Sequence, residues 1–434
     1  AALGTKGDHQ TPTDPSQGRV WRSVVEMLDA VGSENPFISV VDMPREVFNR
    51  HPWSTGGGGA TQLKDAIDAA CSSSLSDYSS SVGFASFPGQ DDAFVMDAAT
   101  LKRIRVRDEY IREFAYGEAV RDWQLIAPLS ALAPYDNDFQ LVPLEMNEEW
   151  ARHLWNYRTC LENVVSFAGR TRKQLEADWW GWYRWIPEKY RNRISVMFAE
   201  VASHNHFVLD RGRCVFKQTA PVIKFKPDVD EDTILGILGA LNSSTVGFWL
   251  MQVCQCKGDG ERGMESERWF RSFQFNSTKV NTVPIPDELP VGLARRLEEL
   301  AIRLKASSPL CEWDEFEVLT NRGKEPFMEV VQTMIALQEE LDWCCYRYYG
   351  VLSDDLCYSR HDIPKVAFGE RAFEIVMARQ MANGELETTW FARHESTPTT
   401  EVPMRWSDEY RSIVERRIEL IESTQAFSLL ETPE

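Results

Sequence analysis

Residues 241 to 260 read "LNSSTVGFWLMQVCQCKGDG", the end of an apolar run that begins near Ile234 and stops at Lys257 and Gly258. Three readings compete for this stretch: a membrane span, a metal site built on Cys254 and Cys256, or the core of a larger fold. Asn242, Ser243, Ser244 and Thr245 stand at its centre, where four polar side chains are costly in lipid, so a membrane span is rejected. Two buried helical pieces with a capped break between them fit better. The acids Asp228, Asp230, Glu231 and Asp232 suit the start of the first helix, "TILGILGAL", and Ser243 or Ser244 suits the cap of the second, "TVGFWLMQVCQC".

Working outward, a chain of 434 residues has room for two or three domains. Fifteen Trp argue against extensive disorder. The net charge of −19 argues against a surface that is basic throughout, yet residues 151 to 225 hold 13 Lys and Arg against 6 Asp and Glu. That local balance of +7 leaves −26 on the rest of the chain. An ordinary basic face and a nucleic-acid surface both fit this asymmetry. The nine Cys are odd in number and scattered, and no signal peptide is seen, which points to reduced thiols and a cytoplasmic protein.

The pattern suggests an α+β fold: a mixed helical and β recognition domain flanked by helical N- and C-terminal parts. Residues 1–20 are polar and rich in turn formers, a linker or truncated edge. Residues 21–150 form a connector, with a helix near Trp21 to Val31, a strand-like "FISVV" at 37–41, the glycine run of "HPWSTGGGGATQLKDAI" and the basic "LKRIRVRDEYIREF". Residues 151–289 hold the β-rich part, with strands in "RISVMF" and "APVIKFK" and a hairpin in "FVLDRGRCVF" around Asp210, Arg211 and Gly212. Residues 290–350 are helical: Leu293, Leu297, Leu300 and Leu304 share one face, and a helix from Pro326 to Tyr349 ends at Gly350. Residues 351–434 carry a helix near Arg371 to Ala382, stopped by Asn383-Gly384, and another from Ser407 to Thr424.

No catalytic residue is identified. Gly56 to Gly59 lack the Lys-Ser/Thr of a P-loop and the GxGxxG spacing, and they follow His51-Pro52-Trp53 rather than a clear strand, so a phosphate or S-adenosylmethionine loop is not favoured. "SHNHF" crowds His204, Asn205 and His206 too closely for an HNH nuclease. The two histidines share a strand face, but Cys254 and Cys256 are one residue apart where structural zinc usually has two to four, so buried thiols and a polar strand end are preferred and no metal is expected. "RTRKQLEADWWGWYRWIPEKYRNR" interleaves Arg170, Arg172, Lys173, Arg184, Lys189, Arg191 and Arg193 with Trp179, Trp180, Trp182, Tyr183 and Trp185. The cations suit phosphates, whereas the Trp residues suit a core, because duplex DNA keeps its bases stacked.

Several stretches together resemble a known family. "SHNHFVLDRGRCVFKQTAPVIKF", "LGALNSSTVGFWLMQVCQCKG", "WFRSFQFNSTKVNTVPIP" and "LQEELDWCCYRYYG" are similar to the region after the catalytic domain in the PglX family, the adenine-specific DNA methyltransferases of BREX phage-defence systems. They are more distantly similar to target-recognition domains of type IIG restriction-modification enzymes. "RHPWSTGGGGATQLKDAI" and "FGERAFEIVMARQMANGELETTWFARHESTPTTEVP" resemble the type-2 BREX form, and the likeness runs from about residue 15 onward.

The family's Asn/Asp/Ser-Pro-Pro-aromatic motif is missing, since "ENPF" at 34–37 has a single Pro, and no Phe-x-Gly-x-Gly loop follows a strand. Methylation needs a cofactor loop, and it needs a carboxamide and backbone carbonyl for the flipped adenine's amino group, so this chain alone is expected to be inactive. The resemblance implies double-stranded DNA and the methyltransferase domain as partners, with S-adenosylmethionine the cofactor of the parent enzyme and none in this chain. Candidate DNA contacts are Arg170, Arg172, Lys173, Arg191, Arg193, Lys257, Arg262, Arg268 and Lys279. Two alternatives remain: a module docking other defence components or a DNA-mimicking phage inhibitor, and a nuclease specificity subunit.

Overall fold

The computed structural model describes all residues except 1–13, 36–37, 44, 50–56, 127–128, 167–168, 193, 259–270, 307–323, 361 and 433–434. It is a mixed α+β fold, 45% helical and 16% strand. Its centre is an antiparallel sheet in the order Phe207–Arg211, Ile194–Phe198, Val222–Phe225, Ser79–Gly83. Alternate residues of a strand face opposite sides, and here both sides are covered. Val196, Phe198, Phe207, Ile223 and Phe225 enter one hydrophobic core. Met197, Ala199, Val208 and Val222 enter a second.

The first core is helical, and the opening stretch lies inside it. Helix Glu231–Leu241 is capped by Asp230, whose side chain accepts from the Thr233 amide. Helix Ser244–Val253 is capped by Ser243, which accepts from the Val246 amide. The two axes bend by 66° at the break. Among the described residues no single helix is long and apolar enough to cross a membrane. Against this pair pack Ala60–Ala70, Val291–Ala306, the 25-residue Lys324–Tyr348 and Gln425–Leu430, while Ala372–Ala382 and Asp408–Ser423 pack on each other within the same core. Gly350, at φ +67°, ends the long helix in the left-handed conformation that glycine adopts without a Cβ penalty.

The second core holds the aromatic and basic segment together with a four-stranded sheet ordered Cys214–Phe216, Ile111–Ala115, Leu129–Leu132, Val95–Met96. Trp179 and Trp182 are buried, and the indoles of Trp180, Trp182 and Trp185 donate to the carbonyls of Val142, Leu132 and Phe139.

Three expected elements differ, the first being the helix read through "TVGFWLMQVCQC", which ends at Val253 and gives way to a strand at Gln255–Gly258. "FVLDRGRCVF" does turn at Gly212, where the Asp210 carboxylate accepts from the amides of Gly212, Arg213 and Cys214. It is not a hairpin, however, because Phe207–Arg211 pairs with Ile194–Phe198 while Cys214–Phe216 crosses over to run parallel to Ile111–Ala115. All three residues Cys214 to Phe216 are buried, so the outgoing strand gains more by entering the second core. In "FISVV" the described residues form no strand, only the isolated bridge Glu34↔Ser39, and Val41 is exposed.

Candidate functional site

The turn of a small hairpin supplies the first functional side chain. Val120–Arg121 pairs with Gln124–Leu125, leaving Asp122 and Trp123 at the tip. Trp123 is held at φ +64°, a conformation that costs a residue with a Cβ about 1–3 kcal/mol. Its indole offsets this by burial and by a 2.9 Å hydrogen bond to Gln338 Oε1. Asp122 is thereby fixed beside the residues that lead into the central strand Phe207–Arg211.

Those residues are His204, Asn205 and His206, and alternation in the extended chain splits them by side. Asn205 turns inward and caps the first helix of the opening stretch, donating to Leu241 O at 2.7 Å and Ser243 O at 3.1 Å. Both imidazoles meet Asp122: His206 Nδ1 lies 2.9 Å and His204 Nε2 3.4 Å from Oδ1. Crowding favours the neutral Asp122 carboxyl, but the side chain is 70% exposed, and the bonds from His204 and His206 hold the carboxyl well below the usual range. Burial, with the neighbouring His204 charge, pushes His206 down. The cluster is therefore a carboxylate bonded to a neutral, buried imidazole.

Beside it opens a cavity of about 520 Å³. The hairpin contributes Asp122, Trp123 and Gln124; the helix break contributes Asn242 and Ser244; the long helix contributes Gln338, Glu339 and Asp342; and Arg371, Phe373, Trp390, His394 and Glu431 complete the wall. Asp342 Oδ1 accepts from the Ser244 amide at 2.7 Å, and burial pushes its carboxyl up to about 7. Burial and the nearby Glu339 and Asp342 charges push Glu431 up to about 8, while Tyr346 donates to it at 2.8 Å. Both acids are thus held above the usual carboxylate range.

The expected DNA contacts divide. Arg172 is removed from that role: it is buried, and its guanidinium donates to the carbonyls of Asp178, Trp179, Gly181 and Trp182, so no phosphate can reach it. Arg170, Lys173, Arg191 and Lys257 are exposed, and Lys279 is half-buried. The short helices that carry Arg191 and Lys279 both meet strand Ser79–Gly83. The turn of helix Glu188–Arg191 sends Lys189 Nζ to Gly83 O at 2.9 Å, and helix Ser277–Val280 packs on that same strand, Ser79–Gly83. Lys257 is on strand Gln255–Gly258, paired with Ser272–Gln274, the strand that leads into the Lys279 helix. Arg170 and Lys173 sit apart, around the turn closed by the Val165↔Thr171 bridge. Arg193, Arg262 and Arg268 lie outside the described residues.

The cysteines do not join the histidines. Burial pushes the Cys254 thiol up to about 12, Cys256 is exposed, and the third member of the histidine cluster is Asp122. Of the glycine run, Gly56 lies outside the described residues, while Gly58 and Gly59 lead into helix Ala60–Ala70 with Gln425 beside them, a Cβ on Gly59 lying 2.8 Å from its side chain.

Comparison with known proteins places the chain. Residues 334–434 match a family described as "Domain of unknown function (DUF7008)". Over 442 aligned residues, 99% of the chain, it is 39% identical to the adenine-specific methyltransferase PglX of Streptomyces coelicolor (strain ATCC BAA-471 / A3(2) / M145). The chain is related to PglX along its length. It spans 36% of that protein, the C-terminal part. The type IIL restriction-modification enzyme MmeI, solved in complex with DNA, shares 11% identity and a TM-score of 0.38 over 63% of this chain and 33% of its own.

Within this PglX-related chain, the segment of unknown function is organised around buried charge. Arg417, fully buried, donates to Glu340 at 2.7 Å and Leu356 O at 2.7 Å, with Glu339 at 3.6 Å. Glu374, also buried, bonds Arg371 and the Trp390 indole. Asp122, Trp123, Gln338, Asp342 and Glu431 escape sequence reasoning because they stand far apart in the chain. The closest signal is Asp122-Trp123 between the short pairs Val120–Arg121 and Gln124–Leu125.

Proposed function

We propose that this chain provides DNA target recognition for an S-adenosylmethionine-dependent N6-adenine DNA methyltransferase of a BREX-type phage-defence system. The observation that carries the reading is the 39% identity to PglX over 99% of the chain. Two features support it: the N6-adenine catalytic motif does not occur in the sequence, and Arg191, Lys257 and Lys279 sit on segments that converge around strands Ser79–Gly83 and Ser272–Gln274. In this reading double-stranded DNA lies against that basic edge, and the methyltransferase domain carries the cofactor and the reacting base.

The test is fluorescence anisotropy of the full chain with duplex DNA across a salt series. Log affinity is expected to fall with log salt at a slope of about −0.9 per phosphate neutralised. Lys257→Glu and Lys279→Glu should each make the slope shallower by about one. Absence of binding at low salt would sink the proposal for the isolated chain. It would favour the second reading, a docking module for defence proteins, which rests on the −26 charge carried outside residues 151–225.

A further inference from the structure

We propose that Asp122, His204 and His206 form a binding site for a divalent transition-metal ion of the zinc and cobalt class, with coordination positions open to the cavity. Two imidazoles and a carboxylate suit such ions, whereas magnesium and calcium take oxygen ligands. The donor atoms lie within 4.8 Å of one another, and the edges to Asp122 Oδ1 measure 2.9 and 3.4 Å. Ligands at about 2.0–2.2 Å around a tetrahedral ion are separated by about 3.4 Å, so small rotations of Asp122 and His204 admit the ion while His206 stays in place.

Both sides of the site are built rather than incidental. The buried Trp123 anchors the turn that presents Asp122. His206 is 4% exposed, and the neighbouring Asn205 and Phe207 are both bonded to the helix break. The second nitrogen of His204 lies 3.2 Å from Ser203 Oγ, the kind of outer contact that orients a metal-binding imidazole. Three protein ligands are also the pattern of sites that keep a position free for water or another ligand. Asp122 and His204 line the 520 Å³ cavity together with Gln338 and Asp342, so an ion bound by them would border that space.

The experiment takes the full chain, depleted of metal with a chelator. It is titrated with Zn²⁺ by calorimetry and with Co²⁺ by visible absorption. One equivalent of each is expected, and the cobalt spectrum should lack the near-ultraviolet sulfur-to-metal band. Asp122→Ala, at an exposed turn position, should weaken Zn²⁺ binding by at least the roughly 10–100-fold that follows loss of an outer-shell partner, while the metal-free chain stays folded with a modestly lower melting temperature because His206 loses its hydrogen-bond partner. His204→Ala serves as a second variant should the first fail to fold. Cys256→Ser should change nothing. Absence of binding to the unaltered chain, binding undiminished in both ligand variants, or binding lost in Cys256→Ser would each overturn the proposal.

Discussion

Asn242 carries more of the fold than its size suggests. Its carboxamide accepts from the Phe207 amide at 2.9 Å and donates to the Phe207 carbonyl at 2.9 Å, while its own carbonyl accepts from Gln338. One side chain thus ties the helix break to the central strand, and its backbone ties the break to the long helix. Asn242→Ala would strand a buried donor and acceptor, each worth about 1–3 kcal/mol. We expect a fall in stability of about 2–4 kcal/mol, read as a lower urea midpoint at constant slope. Asp342, the other support of the break, adds a pH effect. Its folded pKa of about 7 is raised above the unfolded value, so its native form binds more protons and stability falls as pH rises between the two. Asp342→Asn keeps an oxygen for the Ser244 amide and removes the titration. The melting temperature of the variant should therefore depend less on pH between about 4 and 7 than that of the unaltered chain; parallel curves would refute this.

Among the elements, helix Glu231–Leu241 depends on two glycines. A Cβ at Gly236 would lie 2.6 Å from Leu289 Cβ, and one at Gly239 2.9 Å from Pro290 and 3.0 Å from Ala294. Ala is worth about 1 kcal/mol over Gly in a helix interior, but overpacking costs about 1–3 kcal/mol. Gly236→Ala should therefore destabilise despite its better propensity, and a raised melting temperature would disprove the contact. In the segment of unknown function the decisive element is helix Asp408–Ser423, which carries Arg417 to Glu339 and Glu340. Arg417→Met would leave two carboxylates buried without their cation. The expected loss is about 3–5 kcal/mol, measurable by chemical denaturation.

At the scale of the molecule, one sheet joins both cores. Because Val196 and Phe198 face one core and Met197 and Ala199 the other, neither core can open without uncovering the sheet that supports its neighbour. Unfolding by urea should give coincident transitions by tryptophan fluorescence and far-ultraviolet circular dichroism. Separate midpoints would show that the halves come apart independently.

The sequence alone determined the local devices. The acidic start of the first helix at 228–232, the break capped by Ser243 or Ser244, the end of the long helix at Gly350 and the start of the last long helix at Ser407 are all set by neighbouring residues and were legible; the structure selects Asp230 and Ser243 as the caps. The buried tryptophans followed from residue type, and kinship to PglX followed from several separated motifs. Tertiary structure decided what depends on distance through space. Asp122 meets His204 and His206 across 82 and 84 residues. Arg172, an apparent phosphate ligand in a basic run, is used up by four backbone carbonyls. The turn after Asp210 feeds a different sheet because burial in the second core outweighs pairing with the adjacent strand. Caps and turns are short-range hydrogen bonds written into adjacent residues, whereas a site is a meeting of segments whose partners only packing selects.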